Sequence, residues 1–552
     1  MSVVDFSGIR KIGDPVLRKE DARFLSGRGR YTDDIVLQGQ VFVAFVRSPH
    51  AHARILGIDP TPALASGDVV AVYTGAQMLD DGIGPLPPIW QITSKDGSVM
   101  VEPPRYAMTA HIARHVGDIV ALVIAISPSV ARWAAEQVVV DYEPLPAIVM
   151  TGRALDADAP LVHEGTVNNL CFDWELGNRE KTEAAFAAAT HVVSIDLVNT
   201  RIVANPMEPR SAVAEYDRTA DSYTLYTSSQ NPHIVRTQLC QSVLHIPEQK
   251  MRVVAPDVGG GFGVKCYVYP EEALIVWAAR KSGRAVKWTA DRSESFVSDA
   301  HARDHVTTAS LALDGEGTFL GLKVSTIANL GAYLSTWGPS IPTYLYAPNL
   351  AGQYATPAIY AEVKGVFTHT LPVDAYRGAG RPEASYVVER LVDIAAHDLG
   401  FDRAELRRRN FIKPTAMPYA TPVAMVYDSG HFEKCFDSAV RMIDVAGFDV
   451  RRAESEARGK LRGLGFSCYI EACGLSPSRG LGSKGARIGL YESGQVRLNP
   501  DVAWHLIVRM RRLGSRLAPN CENHCCKILK LSASAMKLST YYLGLSCSRW
   551  RQ

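Results

Sequence analysis

The sequence predicts an α+β protein made of several domains. Its 552 residues are 47% hydrophobic and 21% charged, which is typical of a large folded chain. Short apolar runs of strand type are interspersed with segments that carry helix-start signals, and no repeat of about 20–50 residues is present. No apolar run reaches the roughly 20 residues that a membrane helix requires. Since the first residues also lack an apolar signal core, we expect a cytoplasmic protein that does not enter a membrane, with export as a passenger of a partner's signal as the alternative.

Residues 1–150 are predicted to form the first domain. Strand-like apolar runs occur at 41–47, 68–73, 118–126 and 137–142. The segment 127–136 starts with a Ser-Pro pair and continues in helix-forming residues, which predicts a helix. Pro144 and Pro146 follow, and we place the domain boundary after them.

Residues 165–415 form the predicted second domain. Strands are predicted at 191–200, 211–216, 223–227, 251–255, 284–290 and 305–314. The sequence DGEG at 314–317 indicates a hairpin turn. Helices are predicted at 177–191, 271–282 and 382–400.

Residues 430–500 are predicted to begin a third domain, and residues 501–552 form a tail of different composition. A helix is predicted at 432–446, strands at 462–471, 486–491 and 496–498, and a hairpin turn at 492–495. The tail has nine basic residues, two acidic residues and four of the ten cysteines, whereas residues 1–500 have a net charge of −5. The six cysteines before the tail suit reduced thiols in a cytosolic core.

The sharpest motif is VGGGFGVK at 258–265, directly after a predicted strand. Consecutive glycines weaken a strand, but they let the backbone approach a ligand closely and expose N–H groups to an anion. A tight turn is the alternative. The motif fits neither the dinucleotide-binding pattern nor the phosphate-binding loop, because Val264 and Cys266 stand at positions that those patterns reserve for other residues.

Three further motifs could carry chemistry. In DAYRGAGRPE (374–383), Arg377 and Arg381 flank two glycines at a predicted helix start, where an anion is favoured; simple capping is the alternative. In SSQNPH (228–233), Gln230 follows a strand and could donate its amide to an oxo or carbonyl oxygen, although a surface turn is the simpler interpretation. In NPMEPR (205–210), we expect Glu208 and Arg210 to pair with each other.

No metal-ligating cluster of protein side chains is predicted. His50 and His52 are expected to have a structural or surface role. The sequence CENHCC at 521–526 resembles half of a zinc knuckle, but no second ligand cluster is near it in the sequence, so zinc is not expected.

Taken together, these motifs resemble the large, molybdopterin-binding subunit of the xanthine dehydrogenase, aldehyde oxidase and carbon monoxide dehydrogenase family. GDPVLRKEDARFLSGRGRYTDDI (13–35) and RSPHAHARI (47–55) look like its N-terminal α/β hammerhead domain. NPMEPR, SSQNPH, VGGGFGVK and AYRGAGRPEA look like its first cofactor-binding domain, and GLGFSCYIEACG (463–474) looks like the start of the second. The resemblance covers residues 10–500.

The resemblance implies a molybdenum hydroxylase that uses water to hydroxylate a carbon next to nitrogen or oxygen. Its metal takes sulfur ligands from a molybdopterin dinucleotide, expected in the cytosine form, so the protein supplies hydrogen bonds and shape. Gln230 would donate to a molybdenum oxo group and Arg377 would stabilise oxygen charge. The implied cofactor-binding residues are Gln230, Gly259, Gly260, Gly261, Phe262, Gly263 and Arg377.

The family also implies partners and limits the substrate. A small subunit with 2Fe-2S clusters and a medium FAD-binding subunit are expected, and no nucleic acid is expected to bind the scattered basic residues of the tail. Copper-binding members carry Cys where this chain has Gly378, and purine-oxidising members carry a carboxylate where it has Cys266. An aldehyde or an N-heterocycle is therefore the expected substrate.

The resemblance stops near residue 500. Family members continue with a GQG loop that grips the pterin dinucleotide and a Glu that acts as the general base. We therefore expect a chain that is truncated near residue 500, inactive alone, and followed by a tail translated in a shifted frame. The competing hypothesis is a non-catalytic fragment or interaction remnant without cofactor.

Overall fold

The computed structural model describes residues 18, 20–472, 478–489, 493–498 and 504–509, and it confirms the α+β class. The first part of the chain contains strands β1 (Val41–Arg47), β2 (Ala53–Asp59), β3 (Val69–Thr74), β4 (Ile112–Ala113), β5 (Ile119–Ala125) and β6 (Val139–Pro144). Its helices are α1 (Asp21–Leu25), α2 (Thr61–Leu64), α3 (Gly75–Asp80) and α4 (Pro128–Gln137). The expected cap of α4 is present, since Ser127 accepts a hydrogen bond from the Val130 amide.

The second part is richer in long strands. These are β7 (Leu170–Gly177), β8 (His191–Asn199), β9 (Ser211–Asp217), β10 (Ser222–Thr227), β11 (Met251–Val254), β12 (Val286–Thr289), β13 (His305–Leu313), β14 (Phe319–Gly331) and β15 (Ala358–Phe367). The helices are α5 (Arg179–Ala187), α6 (Pro232–Gln238), α7 (Pro270–Ser282), α8 (Arg292–Ser298), α9 (Arg381–Asp398) and α10 (Arg403–Asn410). The helix predicted at 177–191 is shorter, because β7 and β8 take its two ends.

The third part differs most from the sequence prediction. It contains β16 (Tyr419–Ala420), β17 (Val426–Tyr427), α11 (Phe432–Met442), α12 (Phe448–Glu456), α13 (Ser478–Gly482), β18 (Ser493–Leu498) and β19 (Trp504–Arg509). The strand predicted at 462–471 is wrong, because this run has no partner strand among the described residues and is irregular. The predicted turn at 492–495 is also wrong, since β18 begins at Ser493 and pairs with β19. The cysteine-rich part of the tail lies outside the described residues.

Two sheets organise the molecule. The larger has the strand order β11-β10-β9-β12-β1-β5-β3 and therefore combines strands from both sides of residue 150. Its two halves join where β1 and β12 pair in parallel, with Val41 opposite Val286. The second sheet has the order β7-β15-β14-β13-β8. The hairpin turn predicted at 314–317 connects β13 and β14 of this sheet.

Helix α7 packs against β9 and β12 of the larger sheet, and its residues 271–279 are all buried. No helix in the described ranges is both long and apolar enough to cross a bilayer.

Candidate functional site

Three of the sequence motifs meet at one edge of the larger sheet. β10 and β11 run in parallel, so the segments that follow them, 228–231 and the glycine loop (residues 258–265), leave the sheet at the same edge. β9 is antiparallel to β10, so the segment 205–210 enters the sheet there. Ligands commonly bind beyond the carboxyl ends of strands in open sheets. The topology therefore explains why motifs far apart in sequence form one site.

Gln230 is fixed against the glycine loop by two hydrogen bonds. Its backbone amide donates a hydrogen bond to the Lys265 carbonyl at 2.7 Å. Its side-chain Oε1 accepts a hydrogen bond from the Gly263 backbone amide at 2.9 Å. A Cβ atom at Gly261 would lie 2.3 Å from Gln230 Oε1, so only glycine allows this approach. Within the described part of the chain, Gln230 Nε2 has no hydrogen-bond partner and remains available as a donor.

The arginine loop (residues 374–380) meets the glycine loop from the other side. The Arg377 amide donates to the Phe262 carbonyl at 2.9 Å, and the Arg377 guanidinium lies 6.0 Å from the centroid of the Phe262 ring. Both side chains are exposed, Phe262 by 44%. Arg303 holds the arginine loop from inside, because it donates to the Arg377 carbonyl at 3.0 Å and to Glu383 at 2.8 Å.

The structure thus brings the glycine loop together with Gln230 and Arg377, while their chemical roles remain predictions. The expected pairing of Glu208 with Arg210 is wrong. Glu208 binds Lys265, which closes the glycine loop. Sequence reasoning also missed Arg303. Nothing in the surrounding segment, HARDH at 301–305, indicated that this arginine would contact the arginine loop.

A buried ion network lies behind this edge and joins the first and second parts of the chain. Arg210 pairs with Glu271 at 2.8 Å and with Asp299 at 2.6 Å, and Arg47 at the end of β1 also pairs with Glu271 at 2.8 Å. Burial alone would raise the pKa of Glu271, but the two arginines outweigh it and lower the pKa to about 2. Glu271 is therefore an ionised structural group rather than a proton carrier.

Asp374 has the opposite environment at the base of the arginine loop. Its carboxylate accepts hydrogen bonds from the backbone amides of Trp337 and Ala375, and burial raises its pKa to about 7. Among the described residues, no cluster of three or more His, Cys, Asp or Glu could hold a metal ion. The available side-chain amide of Gln230 and the three consecutive glycines of the loop fit an organic cofactor that brings its own metal ligands.

Two family models match the chain. The molybdopterin cofactor-binding domain matches residues 162–411, and the aldehyde oxidase and xanthine dehydrogenase a/b hammerhead domain matches residues 26–146. The carbon monoxide dehydrogenase large chain of Hydrogenophaga pseudoflava is 35% identical, with 87% of this chain and 60% of that protein covered. The nicotine 6-hydroxylase large subunit of Paenarthrobacter nicotinovorans is 32% identical, with 88% and 59% covered. The chain spans about 60% of the length of these relatives.

Solved structures agree with this similarity. Quinoline 2-oxidoreductase from Pseudomonas putida 86 superimposes with a TM-score of 0.87 at 33% identity, covering 96% of this chain and 66% of the other. Reconstituted CO dehydrogenase from Oligotropha carboxidovorans superimposes with a TM-score of 0.83 at 30% identity, covering 97% and 68%.

Proposed function

The chain belongs to the xanthine dehydrogenase, aldehyde oxidase and carbon monoxide dehydrogenase family of molybdopterin-binding large subunits, and from this membership we propose that it is the large subunit of a molybdenum hydroxylase. The proposed reaction is the hydroxylation of an aldehyde or an N-heterocycle with water as the oxygen source. When bound, the molybdenum–molybdopterin dinucleotide, proposed in its cytosine form, supplies the two-electron oxidation and the oxygen transfer.

The observation that carries the proposal is the convergence of Gln230, the glycine loop and Arg377. Because the Gly263 amide holds Gln230 Oε1, the Nε2 group is left to donate to an oxygen of the cofactor. The glycines would let the backbone and the Phe262 ring approach the cofactor closely. Arg377 would stabilise negative charge that develops on oxygen during the reaction.

Gly378 favours an aldehyde or N-heterocycle over carbon monoxide. Overall sequence similarity does not distinguish these substrates, since the carbon monoxide dehydrogenase and nicotine 6-hydroxylase large chains are about equally similar to this chain. Gly378 has a φ of +98°, and a Cβ there would lie 2.4 Å from Pro382 Cγ. The cysteine that copper-binding members carry does not fit this backbone. Purine-oxidising members carry a carboxylate where this chain has Cys266, and this difference disfavours a purine as the substrate.

We also propose a small iron–sulfur subunit and a medium FAD-binding subunit as partners, in the cytoplasm. The family supplies both, and the 552-residue sequence has neither a cysteine pattern typical of iron–sulfur clusters nor a flavin fingerprint. Electrons from the substrate would have to pass to other chains, so the chain is proposed to be inactive alone.

Metal analysis of the chain co-expressed with these subunits tests the proposal. Near-stoichiometric molybdenum supports a hydroxylase, whereas its absence favours the competing hypothesis of a non-catalytic fragment. Dye-coupled assays with aldehydes and N-heterocycles, compared with carbon monoxide and purines, then test the substrate class. Turnover of carbon monoxide alone would contradict the assignment based on Gly378.

A further inference from the structure

We propose that Glu208 and Lys265 are positioning residues of this site, whose buried ion pair fixes the glycine loop and, through it, Gln230. The inference rests on the proposed function, because it assigns the pair to the site that would receive the cofactor. Neither residue is proposed to touch the substrate.

The pair ties side chains to backbone in both directions. Lys265 Nζ donates to Glu208 Oε2 and to the Glu208 carbonyl, each at 2.8 Å. Glu208 Oε2 also accepts a hydrogen bond from the Gly259 amide at 2.7 Å. The Lys265 side chain is 0% exposed and that of Glu208 is 11% exposed, so water screens these interactions weakly.

These contacts lie at both ends of the glycine loop. Gly259 is near its start and Lys265 is its last residue, so one carboxylate holds the two ends together. The Lys265 carbonyl in turn accepts a hydrogen bond from the Gln230 backbone amide at 2.7 Å. A shift of Lys265 would therefore move both the loop and the backbone that carries Gln230.

A contribution to the stability of the fold does not by itself explain a buried pair of this kind. Burial lowers the pKa of Lys265 even though Glu208 opposes this effect, so the desolvation of the ammonium group outweighs its attraction to the carboxylate. Replacing a buried ion pair by apolar residues is often neutral or stabilising. The pair instead supplies what a loop rich in glycine lacks, which is a defined conformation.

The structure offers a matched control in Arg407 and Glu389. Arg407 Nη2 lies 2.9 Å from Glu389 Oε2, with side chains 0% and 6% exposed. This pair joins α9 to α10, and Glu389 also accepts a hydrogen bond from Tyr354. It makes no contact with the glycine loop, so its loss should affect stability without affecting the site.

Hydrogen exchange measured on the full 552-residue chain tests the positioning role without molybdenum. In Glu208→Gln, we expect amides within 256–266 to exchange about tenfold faster, because a charge-assisted hydrogen bond is lost. Glu389→Gln should leave exchange in that segment unchanged. Equal exchange in the two variants would overturn the proposal. Should Glu208→Gln not fold, the double variant E208Q/K265M removes the unpaired charge and is expected to show the same faster exchange.

Kinetics of the chain extended with the GQG-loop and general-base segments of a family member, and assembled with its partners, supply the second arm. We expect Glu208→Gln to lower kcat about tenfold while KM stays within about threefold, and to change the electron paramagnetic resonance signal of the metal. Glu389→Gln should change neither. An unaltered kcat and signal in Glu208→Gln would refute the role. Absence of molybdenum from the parent enzyme would instead refute the proposed function, whereas the exchange result tests loop positioning by itself.

Discussion

At Gly261 a single hydrogen in place of a side chain sets the geometry of the site. A methyl group there would lie 2.3 Å from Gln230 Oε1 and would push the carboxamide away from the Gly263 amide. We therefore expect Gly261→Ala to lower turnover about 10²-fold, the usual effect of displacing a donor used in the transition state. Turnover and the thermal midpoint should be measured together on the chain restored to the full length of the family and assembled with its partners. Gly463→Ala, which meets open space, is the control and should leave both unchanged.

The two polar residues of the site should matter more for rate than for stability. Arg377 is exposed, and Gln230 accepts only one side-chain hydrogen bond from the described residues. In a protein restored to the full length of the family, Gln230→Ala and Arg377→Ala should each cost about 0.5–1.5 kcal/mol of folding free energy or less, but about 10²–10³-fold in turnover. Denaturation curves and steady-state kinetics of each variant provide the comparison. Parent-like turnover in both variants would remove these residues from the mechanism.

At this scale the sequence predicted which residues meet but not how they are held. The glycine loop stood out by its residue types, whereas Gln230 was assigned to the site through the resemblance to the family. The partner of Glu208 could not be predicted, because Lys265 lies 57 residues away and reaches it only after β10 and β11 have paired. Proximity in sequence suggested Arg210 instead, which the structure gives to Glu271 and Asp299.

At the scale of elements, α7 is anchored by one charged residue in its first turn. Glu271 bridges Arg210 and Arg47, and all three are nearly inaccessible to water. Glu271→Gln leaves two buried guanidinium groups undercompensated, so we expect a loss of about 3–5 kcal/mol in the free energy of unfolding. Chemical denaturation of parent and variant measures this difference in the free energy of unfolding. Glu316→Gln breaks an exposed pair with Arg409 and should cost about 1 kcal/mol or less.

The linker after β6 is held by histidines from both sides. His52 Nδ1 lies 2.7 Å from the Pro146 carbonyl, and the Ile148 amide donates to His369 Nδ1 at 3.1 Å. The His52 and His369 rings lie with their centroids 4.1 Å apart and their planes tilted by 32°. Burial, together with His52, lowers the pKa of His369 to about 3, so the imidazole is neutral in the folded protein.

This shift predicts a loss of stability in acid. An unfolded histidine titrates near about pH 6.5. His369 therefore contributes stability fully above that pH and loses it as the pH falls toward about 3, because the unfolded state binds the proton more readily. Asp374 and Glu272, whose pKa values burial raises to about 7, act in the opposite direction. They are common to parent and variant, so His369→Gln should make the slope of the unfolding free energy against pH less positive between 4 and 6.5. An unchanged slope in denaturation series would contradict this assignment.

Local signals predicted some elements well and others poorly. β1 and α4 were recognisable from an apolar run and a Ser-Pro start. β7, β14 and β15 were not predicted, because their strand character depends on neighbours in the five-stranded sheet. The run at 462–471 shows the converse, since an apolar pattern without a partner strand remains irregular.

At the scale of the whole molecule, the larger sheet should make the first two parts of the chain unfold together. The parallel pairing of β1 with β12 and the ion network around Glu271 both cross residue 150. We expect a single calorimetric transition for residues 20–411, rather than one for each matched family domain. Two resolved transitions in differential scanning calorimetry of the 552-residue chain would show that the shared sheet does not couple them.

The position of β1 between β5 and β12 also bears on the order of events during synthesis. Once β5 has left the ribosome, β1 has one neighbour, but its other edge waits for residues 286–287, about 245 positions later in the chain. At about 5–20 residues per second, that edge stays open for roughly 12–50 s. Exposed strand edges attract other chains. The nascent protein is therefore expected to need shielding by a chaperone during translation, in an interval set by the topology of a single strand.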